Sequence, residues 1–346
     1  VTDNLASVSP GGLHVVAGLR CLPNFFVSDM DSAIEILGIT GPIYLAIALG
    51  YLVTRRGLFS REDMQVFGKF TIQLALPALL FNALSRRSVG EILNWQYLAA
   101  YAVGTLVVVA GGLWWTRRVQ GRPLALSSVM TMGMVCANSG FVGYPVLLLT
   151  LGGTVAGVAL ALNMVVENLL IIPLLLAVAG SEGTSGQWRV ALRQTVRGLL
   201  GNPMIWGIVA GFLVSLSGVQ VPETVSRTIN LFAAASGALS LFVIGGSLVG
   251  LSAKGIKGPV LQIAWGKLVL HPLVMAAVLL WLIPVADPAL RTAALLTCAM
   301  PMMGIYTILA QRFGQAAISA AALLVTTVLS FFSISGLLWL LRHYPI

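Results

Sequence analysis

Between Met134 and Leu151 the chain reads MVCANSGFVGYPVLLLTL, with Asn138, Ser139, Gly140, Gly143 and Pro145 inside an apolar run. Gly costs a helix interior about 1 kcal/mol relative to Ala, and Pro removes a donor and clashes with the preceding turn. In hydrocarbon the freed amides and carbonyls meet no water, so interrupted backbone survives only inside protein or beside a wet cavity. At such a break the next half-helix presents unpaired N–H groups and the positive end of its dipole, which favours an anion. Asn138 and Ser139 add directional hydrogen-bonding groups, Gly143 admits close backbone approach, and Pro145 suits the first turn of a new half-helix. The plainer alternative is a proline kink with small residues for close helix packing.

A second interruption decides between these readings. A gapless offset of 161 residues lays Asn138-Ser139-Gly140 over Ala299-Met300-Pro301, in LLTCAMPMMGIYTILAQRFG, and pairs Gly143 with Gly304. The same offset lays GPIYLAIALGYLV from Gly41 over NPMIWGIVAGFLV from Asn202, and Leu80-Phe81 over Leu241-Phe242. Two breaks at equivalent repeat positions point to a shared cavity, with Pro301, Gly304 and Tyr306 on its second side.

Few ionisable groups lie near these breaks. Every Asp falls in the amino-terminal segment or a loop, whereas Glu167 sits deep in ALNMVVENLL, four residues after Asn163. An acid at that depth is a functional candidate by default. Glu167 either carries a coupling proton or cation, or holds helices together by hydrogen bonds. Lys267 and His271 are also four apart. Lys267 reads first as a side chain snorkelling to the interface and His271 as a packed histidine, with a coupling or supporting role as the alternative for both. Asn82 either lines the cavity or bridges helices. The missing second carboxylate argues against a paired-acid cation antiporter and an aspartyl protease, and no HExxH motif supports a zinc protease.

The elements that must position these residues follow from composition. The chain has 346 residues, 58% hydrophobic and 9% charged, against about 25% charged in a soluble domain. Ten apolar segments emerge, at 33–53, 66–85, 97–115, 124–150, 154–179, 200–217, 229–251, 260–283, 291–311 and 316–341. The fold class expected is an all-α integral membrane protein. Residues 1–29 read as a disordered leader or upstream extension, 30–180 as a first five-helix repeat, 181–199 as a basic cytoplasmic linker, and 200–346 as a second repeat. Five spans per repeat is odd, so the second repeat enters from the opposite side. Inverted repeats with discontinuous helices at the midplane are a transporter architecture.

The net charge of +9 comes from basic residues scattered through short loops, which argues for topology signals and against nucleic acid. Loops after the odd-numbered spans hold 12 Lys or Arg against 6 on the other side, placing both termini on the non-cytoplasmic side. Cys21, Cys136 and Cys298 have no metal-ligand spacing. No cofactor and no catalytic constellation is expected.

The ANSGFVGYP motif, GPIYLAIALGYL, KLVLHP from Lys267 and the Met-Pro before the second turn resemble the auxin efflux carrier family. That family includes the plant PIN-FORMED carriers and bacterial malonate or malate permeases, and the likeness spans residues 33–341. The resemblance implies ten helices in two inverted five-helix repeats, with broken, crossing fourth and ninth helices that bind an organic anion. It also implies elevator-like alternating access and a homodimer through scaffold helices. Carried over by position, Asn138, Ser139, Gly140 and Pro145 belong to the first half of the crossover, and Pro301 and Gly304 to the second. Met302, Met303 and Tyr306 are bulkier than the residues many relatives have there, so substrate identity does not transfer.

The expected function is therefore a secondary transporter of a small organic anion, a mono- or dicarboxylate, in the lipid of a bacterial inner membrane. A coupling ion would be H+ or Na+. The rivals are a cation or proton exchanger using Glu167 and a sodium-coupled organic-acid symporter.

Overall fold

The computed structural model describes residues 22–181, 193, 197–198, 200–251 and 257–344. Helix dominates, and no strand occurs among the described residues. The main helices are α1 (Leu22–Arg55), α2 (Arg61–Ser85), α3 (Trp95–Val119), α4 (Leu124–Val135) and α5 (Ser139–Gly180). They continue with α6 (Pro203–Ser217), α7 (Glu223–Ser247), α8 (Gly258–Leu282), α9 (Pro288–Ala299), α10 (Tyr306–Gln311) and α11 (Ala316–His343). Their starts are written in local sequence. Ser60 and Asp63 form a capping box before α2, while Asn94, Asn202 and Asp287 accept backbone N–H groups at α3, α6 and α9.

Among the described residues, seven helices are long and apolar enough to cross a membrane: α1 from Ile34, α2, α3, α5, α7, α8 and α11. At 42 residues α5 exceeds one crossing, and it turns at Gly152, whose φ of 82° is open to glycine. Leu45, Leu231 and Trp281 are among many large apolar side chains on the outside, where lipid is the natural solvent. All ten expected spans fall mainly on helix. The helical segment α1 starts at Leu22, earlier than the boundary at residue 29 expected for the leader. Most of the linker at 181–199 lies outside the described residues, as does Cys21.

Proline shapes the helices without ending them. Pro77, Pro145, Pro173 and Pro272 each stand two residues after a wide turn, at Thr71–Ala75, Ser139–Gly143, Glu167–Ile171 and Gly266–Leu270. In each turn a backbone N–H reaches the carbonyl five residues back, as Tyr144 does to Ser139 and His271 to Gly266. Widening makes room for the proline ring against the carbonyl four residues before it. Pro145 therefore lies one turn deeper than the first-turn position expected from sequence.

Helices α1 and α7 pack together, as do α2 and α6, with α2 also against α7. Two of the close approaches come as a reciprocal pair. A Cβ on Gly50 of α1 would strike the carbonyl of Phe242 in α7, and one on Gly211 of α6 would lie 3.0 Å from the carbonyl of Phe81 in α2. Gly50 and Gly211, like Phe81 and Phe242, are 161 positions apart. Helices α3, α4, α5, α8, α9 and α11 pack on one another as a second group, and the candidate site lies within it.

Candidate functional site

Two broken helices meet here. Helix α4 stops at Val135 and backbone becomes helical again at Ser139; α9 stops at Ala299 and α10 starts at Tyr306. The unwound strands cross antiparallel, with Ala137 opposite Met302. Asn138 N–H donates to the Pro301 carbonyl at 2.8 Å and Met303 N–H to the Cys136 carbonyl at 3.3 Å. Each break thereby satisfies part of the other's backbone, as burial away from water demands. Helices α4 and α9 are 12 residues each and end at 135 and 299, which are 164 apart. The crossing thus departs by a few residues from the gapless offset of 161, a shift already present where the two helices start, at 124 and 288.

Asn138 caps the restarted helix. Its Oδ1 accepts from Phe141 N–H at 3.2 Å, and its carbonyl accepts from Val142 and Gly143. The N–H groups of Ser139, Gly140, Gly304 and Ile305 have no acceptor among the described residues. Gly140 abuts Leu76 of α2 and Met204 of α6, so this edge of the crossing faces the other helix group. Gly304 has open space where a side chain would be, and Gly143 makes only ordinary contacts with Asn138 and Met300.

Glu167 lies against the restart of the first broken helix. Its carboxylate accepts from Tyr101 Oη at 2.8 Å, Ser139 Oγ at 3.2 Å and Ala137 N–H at 3.4 Å. An acid at a helix start is favoured by the dipole there. One turn away, Asn163 accepts from Tyr97 Oη at 2.8 Å and donates to Thr297 Oγ1 at 3.1 Å, linking α3, α5 and α9. Tyr97 and Tyr101 stack with rings 6.0 Å apart.

Lys267 corrects the expectation from sequence. It is fully buried, not snorkelling. Its Nζ donates to the carbonyls of Cys298 at 2.9 Å and Val135 at 3.4 Å, in the last turns of the two interrupted helices, and reaches His271 Nδ1 at 3.2 Å. A cation at a helix C-terminus is the counterpart of the acid at a helix start. His271, also fully buried, sets its Nε2 3.2 Å from Thr105 Oγ1.

Other expected residues lie away from the crossing backbone. Tyr306 is fully buried with its hydroxyl against Gly133 of α4, and that hydroxyl has no hydrogen-bond partner among the described residues. Asn82 Nδ2 donates to Asn230 Oδ1 at 2.7 Å, bridging α2 and α7, and lines a cavity of about 780 Å³ with Arg86, Arg87 and Ser215. Tyr97, Tyr101, Thr105 and Thr297 are polar partners that the sequence reading passed over. The first three recur every fourth residue along one face of α3, a periodicity visible in the sequence.

The crossing and its sorted charges are the context for comparison with known proteins. The membrane transport protein family model matches residues 40–338. The chain belongs to this family, the auxin efflux carrier family that the motifs resemble. A Rhizobium meliloti (strain 1021) protein called "Putative malonate transporter" is 31% identical over 317 residues, covering 89% of this chain and 96% of the relative. The "Uncharacterized transporter YfdV" of Escherichia coli (strain K12) is 26% identical over 305 residues, covering 86% and 95%. A Methanothermobacter thermautotrophicus "Uncharacterized transporter" is 28% identical over 196 residues, covering 52% and 62%. Family and relatives are named for transport, in keeping with the apolar helices.

Proposed function

We propose that this member of the membrane transport protein family is a secondary transporter that moves a small organic anion across the inner membrane by alternating access. The observation that carries the reading is the set of unpaired N–H groups at Ser139, Gly140, Gly304 and Ile305, beside a crossing whose residues 136–139 and 300–303 are buried. Backbone donors in that setting attract a carboxylate and leave it able to depart, because none of them bears a full charge. Asn138, Ser139, Gly140, Gly143 and Pro145 shape the first side, and Pro301 and Gly304 the second. Tyr306 supports the second side from behind, through α4.

The same reading takes the chain as two inverted five-helix repeats, ten crossings in all, with both termini outside. The reciprocal contacts of Gly50 with Phe242 and Gly211 with Phe81 support it, since an inverted repeat exchanges such a pair. In this reading α1, α2, α6 and α7 form a scaffold, which could also join two copies, and the second helix group moves against it. Gly140 against Leu76 and Met204 supports a sliding contact there.

The name of the Rhizobium meliloti relative makes malonate the first compound to test. Purified protein is screened by thermal shift against malonate, malate and monocarboxylates, with and without sodium, and hits are taken to uptake in proteoliposomes. A ligand of the folded state raises stability as RT ln(1 + [L]/Kd). No stabilisation and no uptake by any carboxylate would end the organic-anion reading. Proton or cation flux without an organic acid, lost in Glu167→Gln, would favour the exchanger instead.

A further inference from the structure

Transporters with discontinuous helices commonly seat a coupling cation where unwound carbonyls and half-helix C-termini converge. In this protein that place already holds a side chain. Lys267 Nζ lies between the Val135 and Cys298 carbonyls, one from each interrupted helix, and is fully buried. With His271 Nδ1 as the third partner, it has three acceptors for the three N–H bonds of an ammonium. His271 accepts at Nδ1, so its proton sits on Nε2, facing Thr105 Oγ1. Among the described residues no carboxylate lies within ion-pair distance of Lys267; Glu167 instead takes its bonds from Tyr101, Ser139 and Ala137. The ammonium is therefore balanced directly by carbonyl dipoles, as a bound alkali cation would be.

The surroundings are built for this placement. A Cβ on Gly266 would lie 2.6 Å from Met134 Cγ, so only glycine lets α8 close on the end of α4 at this height. That approach brings the next residue, Lys267, to the carbonyl of the residue after Met134. The wide turn Gly266–Leu270 ahead of Pro272 carries the lysine. The buried thiols of Cys136 and Cys298 flank the same strands, one at each break.

We propose that Lys267 is a tethered cation, occupying the carbonyl site between the two half-helix C-termini so that the crossing assembles without an inorganic cation. This deepens the transporter reading by assigning the cation position to the chain itself. Under that assignment, sodium has no structural part in forming the anion site.

The test uses full-length protein in detergent and no organic acid, so its failure is separate from failure of the organic-anion reading, which the carboxylate screen decides. Wild-type thermal stability is compared in sodium chloride and N-methylglucamine chloride at equal ionic strength. Equal midpoints across the titration are expected; a saturable sodium-specific rise would overturn the assignment. Lys267→Ala is then expected to melt roughly 5 °C lower, with at least about half of the loss restored by propylammonium and none by propanol. A folded Lys267→Ala protein that ignores propylammonium would also overturn it. Should that variant fail to fold, the wild-type titration still decides.

Discussion

Lys267 Nζ donates to the Cys298 carbonyl at 2.9 Å, tying α8 to the last turn of α9 in the middle of the second helix group. Glu167 accepts from Ala137 and Ser139 where the other broken helix restarts. The base therefore sits at helix ends and the acid at a helix start, each where the backbone dipole favours its charge. Buried charge is tolerable here because the interruptions expose partial charges that need an answer. The breaks and the two ionisable residues explain one another.

Glu167→Gln tests the acid. Tyr101, Ser139 and Ala137 all donate to one carboxylate oxygen, which an amide of nearly the same size keeps. The other oxygen becomes an N–H₂ group with only the Ser139 hydroxyl, at 3.4 Å, to receive its two N–H bonds, leaving at least one buried donor unsatisfied. The expected cost is about 1–3 kcal/mol. It would be read as a lower unfolding midpoint, with reduced uptake. Tyr101→Phe should lose less stability, because it removes one donor and leaves the others in place. Equal stability of Glu167→Gln and wild type would remove Glu167 from the network that holds the crossing.

Gly50→Ala and Gly211→Ala test the reciprocal packing. A methyl group at Gly50 meets the Phe242 carbonyl, which is backbone and cannot rotate away; at Gly211 it meets the Phe81 carbonyl at 3.0 Å. Both should destabilise, Gly50→Ala more, by about 1–3 kcal/mol for the tighter site. Gly41→Ala, with nothing within 4 Å, is the control and should keep stability or raise it by up to about 1 kcal/mol through helix propensity. Thermal unfolding of the three variants checks the order; an unaffected Gly50→Ala would refute the close approach of α1 and α7.

Much of this was legible in the sequence because lipid restricts the backbone so severely. Span-length apolar runs placed the helices, and Gly and Pro marked both interruptions. The offset of 161 connects Gly50 to Gly211 and Phe81 to Phe242, but it misses the register at the crossing, where the helices that lead in, from 124 and 288, are already 164 apart. Lys267 was misread because i, i+4 spacing from His271 names a face and not a depth. Its partners are carbonyls, which carry no residue-type signal at all. Tyr97, Tyr101 and Thr105 were overlooked for the opposite reason: their spacing is plain, but aromatic residues and a lone threonine in an apolar run pass for packing.

Tyr306→Phe separates packing from recognition. The Tyr306 hydroxyl is buried without a hydrogen-bond partner among the described residues, so removing it should leave stability unchanged or raise it by up to about 1 kcal/mol. Uptake should survive, because the ring still fills the space beside Gly133 and Ile263. A large fall in uptake at unchanged unfolding midpoint would instead place this hydroxyl in contact with substrate during the transport cycle.

Asn138 holds the crossing in two ways, and only one depends on its side chain. The backbone bond to Pro301 persists in any variant except proline, whereas the Oδ1 cap on Phe141 N–H is lost in Asn138→Ala. Loss of such a cap costs about 1 kcal/mol, so the variant should fold and insert with a modest drop in melting midpoint. Its uptake should fall well beyond what that drop explains, because the unpaired N–H groups of Ser139 and Gly140 are aimed by the capped turn. Asn138→Asp keeps an acceptor for the cap but brings a negative charge to the anion site. It should therefore retain stability better than Asn138→Ala while also failing to accumulate the anion. Full uptake by Asn138→Asp in proteoliposomes would show that no anion is bound beside this residue.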